Sequence, residues 1–178
     1  MRLKIEDSLL LVIDCQEKLM PVIYEKDQLM KQIMILLEGS KVLGIPMIVT
    51  QQYTKGLGMS LPQVQQYESQ YYDKTTFSCY GESSIRRALE TNGKNTIVVC
   101  GVESHICVLQ TVLDLLEDGY QVVLAADCIG SRKVYDKEIA LKRMEQDGAV
   151  ITTCESLLFE LLKEAGSDTF KQISKIIK

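Results

Sequence analysis

A chain of 178 residues, nearly half of them hydrophobic, is long enough to bury a full core as one domain without disulfide or metal staples. Its net charge is -4 with no block of like charge, whereas a nucleic-acid surface would be basic, so no nucleic-acid partner is expected. No apolar run approaches a membrane span and Met1 to Asp7 lack the apolar stretch of a signal peptide, so a cytoplasmic protein with no membrane contact is expected.

Six cysteines stand at positions 15, 79, 100, 107, 128 and 154. In a reducing compartment they remain thiols. They form no Cys-x-x-Cys pair and His105 is the only histidine, so neither a structural zinc nor another cofactor is expected.

In chain order, Ser8 to Ile13 is a continuous apolar run, which predicts a strand covered on both faces and ending at Asp14. The apolar spacing of Leu29, Ile33, Leu36 and Leu37 predicts a helix over 25–43, capped by Gly44 and stopped by Pro46. Met47 to Thr50 reads as a second strand. Residues 51–72, with Gly56, Gly58 and Pro62, read as a long irregular segment. A helix over 82–90 precedes a strand over 96–100 that breaks at Gly101. A helix over 105–117 follows. Its polar positions form one narrow stripe, so it is expected to be buried on most sides, in part by a second copy of the chain.

The strand over 121–126 ends at Asp127, and a helix over 136–146, a strand over 149–152 and terminal helices over 155–164 and 168–177 complete the pattern. Strands alternating with helices predict a three-layer α/β/α sandwich around a mainly parallel, Rossmann-like sheet of about six strands. Residues 1–178 show no repeat or linker and read as one domain. Such sheets bind ligands beyond the carboxyl ends of their strands, at the switch in strand order.

Asp14 and the turn at Gly101 fall at strand ends, and Cys107 stands in the first turn of a helix. Amide groups and a helix dipole at that point are expected to lower the thiol's pKa. Asp14 can move a proton, and Lys74, just past the long segment, can supply positive charge. Each residue also has an ordinary reading, as a buried helix cysteine, a capping aspartate and a surface lysine.

Three pieces resemble the isochorismatase-like hydrolases, also called cysteine hydrolases. They are Leu11-Val12-Ile13-Asp14-Cys15-Gln16, Asp73-Lys74-Thr75-Thr76-Phe77-Ser78 and Gly101-Val102-Glu103-Ser104-His105-Ile106-Cys107-Val108. The resemblance implies an Asp14, Lys74 and Cys107 triad, a cis Val102–Glu103 peptide, and an oxyanion hole from the N–H groups of Glu103 and Cys107. It also implies that the Ser104 hydroxyl, where relatives carry threonine, holds the turn. Gln51-Gln52-Tyr53 stands where nicotinamidases of this family carry Asp-x-His, so a metal site is not expected.

Gln52, Tyr53, Phe77, Tyr80, Val102 and Ser104 are candidate substrate contacts. His105 is expected to cap or pack rather than to face the thiol. The expected activity is metal-independent cleavage of a C–N bond in a small molecule through a Cys107 thioester, by a homo-oligomer. The alternatives are isochorismatase-type cleavage of an ether C–O bond by Asp14 and Lys74, or a non-catalytic member that binds a metabolite or partner.

Overall fold

The computed structural model describes residues 2–67 and 70–178. Six strands, β1 (Ser8–Ile13), β2 (Met47–Gln52), β3 (Tyr71–Lys74), β4 (Thr96–Val102), β5 (Gln121–Gly130) and β6 (Val150–Thr152), form one sheet in the order β3-β2-β1-β4-β5-β6. Every pairing is parallel. The helices are α1 (Lys26–Val42), α2 (Thr54–Leu57), α3 (Pro62–Gln65), α4 (Ser83–Asn92), α5 (Leu109–Glu117), α6 (Val134–Gln146), α7 (Cys154–Leu162) and α8 (Asp168–Ile177).

Alternation along β1 explains the three layers. Leu10 and Val12 point into a core with Ile33, Leu36 and Leu37 of α1, Leu157 and Leu161 of α7, and Ile173 of α8. Leu9, Leu11 and Ile13 point to the other side, against Ile85 of α4, Val112 and Leu115 of α5, and Met144 of α6. Both faces of the strand are therefore dry, as its unbroken apolar run requires. Ser167 caps α8 by accepting from Phe170 N, and Ile173 anchors that helix to the body. No described helix is long and apolar enough to cross a membrane.

Three local expectations change. The segment over 51–72 holds the end of β2, α2, α3 and the start of β3. β3 is short and lies at the sheet edge, so it lacks the apolar run that marks the inner strands. β4 does not break at Gly101 but continues to Val102. Gly101 has φ 115°, and a Cβ there would collide with the Ile13 carbonyl, so only glycine lets β4 run this close to β1. Asp127 is not a strand end: pairing shifts from Val99↔Leu124 to Gly101↔Ile129, so Asp127 lies within the bulged β5. Its Oδ1 accepts from Cys154 N at 2.8 Å, at the start of α7.

Strand order reverses between β1 and β4. The chain after each of these two strands therefore emerges at the switch point, which puts Asp14 and the Glu103–Cys107 turn side by side.

Candidate active site

Asp14 follows β1 with φ 52° and is fully buried. Its Oδ2 accepts from Lys74 Nζ at 2.8 Å and its Oδ1 from Thr50 Oγ1 at 2.8 Å. Lys74 ends β3, the strand that sequence reading missed, and is 2% exposed. Its Nζ also donates to Gln52 Oε1 at 2.6 Å and to the Phe77 carbonyl at 3.0 Å, with the Thr76 carbonyl at 3.3 Å. An ammonium has three protons, and these partners take all of them. Burial pulls the Lys74 pKa down, but the charge of Asp14, with Cys79 and Cys107 behind it, carries it above its ordinary value.

Cys107 lies in a π-helical turn, Ser104–Val108, that leads into α5. Such turns are rare and concentrate at functional sites. Ile106 N and Val108 N both donate to the Glu103 carbonyl, so the turn wraps around that one acceptor. Thr111 Oγ1 donates to the Cys107 carbonyl at 2.7 Å and accepts from Cys79 N at 2.8 Å, tying the segment after β3 to this turn. The Val102–Glu103 peptide is cis. The Glu103 carboxylate accepts from Arg132 N at 3.2 Å and Arg132 Nε at 3.0 Å, so it is drawn toward the loop after β5.

The expected fall in the Cys107 pKa is not found. Burial first, and then the negative charge of Asp14, push it up to about 12, and the opposing pull of Lys74 is smaller. A dry pocket disfavours a thiolate beside a carboxylate even when a cation stands near. The resting group is a thiol whose proton can pass to Asp14.

The other candidates divide by position. Gln52 is buried, with Oε1 on Lys74 and Nε2 on the Thr75 carbonyl. Tyr53 and Phe77 are each 54% exposed and flank the Lys74 segment. A cavity of about 260 Å³ reaches Lys74 between Tyr53, Thr75 and Glu82. Tyr80 stands elsewhere: its hydroxyl bonds Asp118 and its ring packs on Tyr120. Asp118 is eleven residues past Cys107, roughly 16 Å along a helix at 1.5 Å per residue. The Val102 side chain joins the core beneath α1.

The Ser104 hydroxyl is buried and has no partner among the described residues, so the turn is held instead by Thr111 and by the Glu103 carbonyl. His105 turns from the thiol: its Nδ1 meets Ser131 Oγ at 2.9 Å and its Nε2 lies 3.8 Å from Asp136 Oδ2.

Sequence reading overlooked Thr50, Thr111 and Gln16. Gln16 is fully buried, accepts from Gln52 N at 2.7 Å and donates to the Gln52 and Gly58 carbonyls. None of the three carries a clear local mark of burial: Gln16 stands between Cys15 and Glu17, Thr50 precedes Gln51 and Gln52, and Thr111 follows Gln110. Gln51 spends its amide on Asp73 and Ser60 N. Among the described residues no three His, Cys, Asp or Glu side chains gather as a metal centre requires.

The isochorismatase domain family matches residues 8–156. Isochorismatase domain-containing protein 2 of Danio rerio is 36% identical over 177 residues, covering 99% of this chain and 89% of that protein. The structure of MAR1 ribonuclease from Caenorhabditis elegans is 34% identical with a TM-score of 0.92, covering 99% of this chain and 92% of the other. The YcaC gene product of Escherichia coli, described as an octameric hydrolase of unknown specificity, shares the fold at 22% identity. Its TM-score is 0.94, with 99% of this chain and 89% of its own covered. By both sequence and fold, the chain belongs to the isochorismatase family, with that family's hydrolase fold.

Proposed function

We propose that the chain is a cysteine hydrolase that cleaves a C–N bond in a small amide-like substrate without a metal. The carrying observation is the meeting of three groups at Asp14: Lys74 Nζ at 2.8 Å, Thr50 Oγ1 at 2.8 Å, and the Cys107 thiol, whose proton the same carboxylate helps to hold.

The Cys107 sulfur attacks the carbonyl carbon as its proton passes to Asp14. The oxyanion forms against the N–H groups of Glu103 and Cys107. Asp14 then gives the proton to the departing nitrogen, leaving an acyl thioester on Cys107. Water attacks the thioester as Asp14 takes one of its protons, and the acid leaves as the thiol re-forms. Lys74 takes no part in binding substrate, because its three donors are engaged. It fixes the orientation of Asp14 and offsets its charge. Tyr53, exposed on the cavity that reaches Lys74, and the exposed Phe77 are the side chains open to a substrate, and the unpartnered Ser104 hydroxyl is a polar contact for it.

The working form is a homo-oligomer. Leu109 and Leu113 of α5 are only half-buried in the single chain, and the related fold from Escherichia coli is described as octameric. A monomeric mass by light scattering would remove this part of the reading.

The test is turnover of small amides, ureas, isochorismate and RNA by the wild type and Cys107→Ala. RNA belongs in the panel because the Caenorhabditis elegans relative is called a ribonuclease. The expected result is hydrolysis of an amide or urea that Cys107→Ala abolishes. Isochorismate cleavage that survives Cys107→Ala would establish ether hydrolysis by Asp14 and Lys74 instead, and no turnover of any compound would favour a binding protein.

A further inference from the structure

A second cavity, of about 310 Å³, opens between the N-terminal ends of α1 and α6 and the carboxyl half of β5. Ser131 separates it from the Cys107 turn, with its hydroxyl on His105 Nδ1. Leu29, Ile129 and Leu141 give the cavity an apolar floor. The one basic residue in its wall is Lys137, half-buried, whose ammonium has no hydrogen bond or ion pair among the described residues. Glu25, Asp127 and Glu138 supply the opposite sign.

We propose that this cavity is a binding site for a small aliphatic zwitterion, an α-amino acid with an apolar side chain. Its carboxylate meets the Lys137 ammonium, its ammonium meets the acidic wall, and its side chain covers the apolar floor. A plain anion would leave three carboxylates facing it. A plain amine would leave Lys137 unpaired in a partly dry wall, which is costly. A ligand carrying both charges on an aliphatic body meets Lys137, the acidic wall and the apolar floor at once.

Two further facts agree. Neither Glu25 nor Lys133, the residues that precede α1 and α6, makes a side-chain cap, so the Glu25 carboxylate is not spent on its own helix. Burial lowers the Lys137 pKa, against the charges of Asp127 and Glu25, as for an amine that lacks a close counter-ion. Asp127 keeps one oxygen on Cys154 N, which fixes its place in the wall.

Calorimetric titration of the full chain with leucine, isocaproate and isoamylamine separates the two charges on one aliphatic skeleton. Leucine is expected to bind at least about tenfold tighter than either single-charge probe, since each loses one charge-assisted contact. Lys137→Met, which keeps the stem, is expected to weaken leucine at least about tenfold, to or below the affinity of isoamylamine, and not to weaken isoamylamine, which loses only a like charge. Binding of isocaproate or isoamylamine as tight as leucine would overturn the proposal. So would leucine affinity unchanged in Lys137→Met, or no binding of leucine at all. The comparison of the three probes on the wild type decides the matter even if the variant does not fold.

Discussion

Replacing Lys74 by Met keeps most of the side chain's volume and removes its charge from a site where every donor is in use. The wild-type ammonium serves Asp14 Oδ2 at 2.8 Å, Gln52 Oε1 at 2.6 Å and the Phe77 carbonyl at 3.0 Å. After the change, Asp14 is a fully buried carboxylate whose one hydrogen-bond donor of normal length is Thr50. Breaking a buried ion pair from one side costs about 3–5 kcal/mol, because the remaining charge is left uncompensated. At about 2–4 °C per kcal/mol for a chain of this size, the melting temperature is expected to fall by roughly 6–20 °C.

The assay is thermal and urea denaturation of the wild type, Lys74→Met, Asp14→Asn and the double variant at pH 7. The double variant, with both charges removed, is expected to recover more than half of the Lys74→Met loss. A Lys74→Met loss below about 1 kcal/mol would refute the reasoning, as would a double variant no more stable than Lys74→Met.

Thr50→Val removes the donor to Asp14 Oδ1 while keeping shape. Activity is expected to fall by about ten- to a hundredfold, mainly in kcat, with most of it restored in Thr50→Ser, whose hydroxyl can still donate. Gly101→Ala places a methyl on the Ile13 carbonyl at a left-handed φ. The expected loss is at least about 3 kcal/mol by denaturation, and a near-neutral effect would contradict the account of how β4 meets β1. Iodoacetamide is expected to modify Cys107 before the other five cysteines, because Cys107 is 6% exposed and the rest are fully buried. Peptide-resolved mass spectrometry reads the order.

Alkaline pH tests the buried thiols and Lys74 together. The pKa values of Cys107 and Cys15 are pushed up to about 12 and that of Cys79 to about 11, each mainly by burial, and that of Lys74 is also raised. Groups raised in the folded state hold their proton more tightly there. Their contribution is intact below the unfolded values of 9.0 for a thiol and 10.5 for lysine, and is lost as pH climbs through the folded values. The urea midpoint is expected to stay level from about pH 7 to 8.5 and to fall above about pH 9. A midpoint that holds or rises through pH 10 would contradict this.

The inner strands and long helices were legible because burial writes its period into the sequence. Ser8 to Ile13 is apolar at every position after the first, and α1 repeats its apolar residues at helical spacing. β3 escaped because an edge strand of four residues, Tyr71 to Lys74, needs no apolar run and takes its shape from pairing with β2. β5 continued past Asp127 because a bulge, visible only in the register with β4, absorbs the extra residues.

Asp14, Lys74 and Cys107 could be named as candidates from strand ends and from the family's pieces, but the direction of the thiol's pKa could not. That depends on whether Asp14 or Lys74 dominates in a dry pocket, which is set by distances and burial rather than by residue type. Thr50 and Thr111 were invisible for a related reason: each bond joins segments far apart in the chain.

The central claim is that Cys107 carries the acyl group. The direct measurement is the intact mass of the full chain, quenched in acid during turnover of whichever amide or urea it hydrolyses, followed by peptide mapping. The account predicts a fraction of molecules heavier by the mass of the acyl group, with the adduct on Cys107. Steady turnover with no adduct on Cys107, and with activity undiminished in Cys107→Ala, would contradict it.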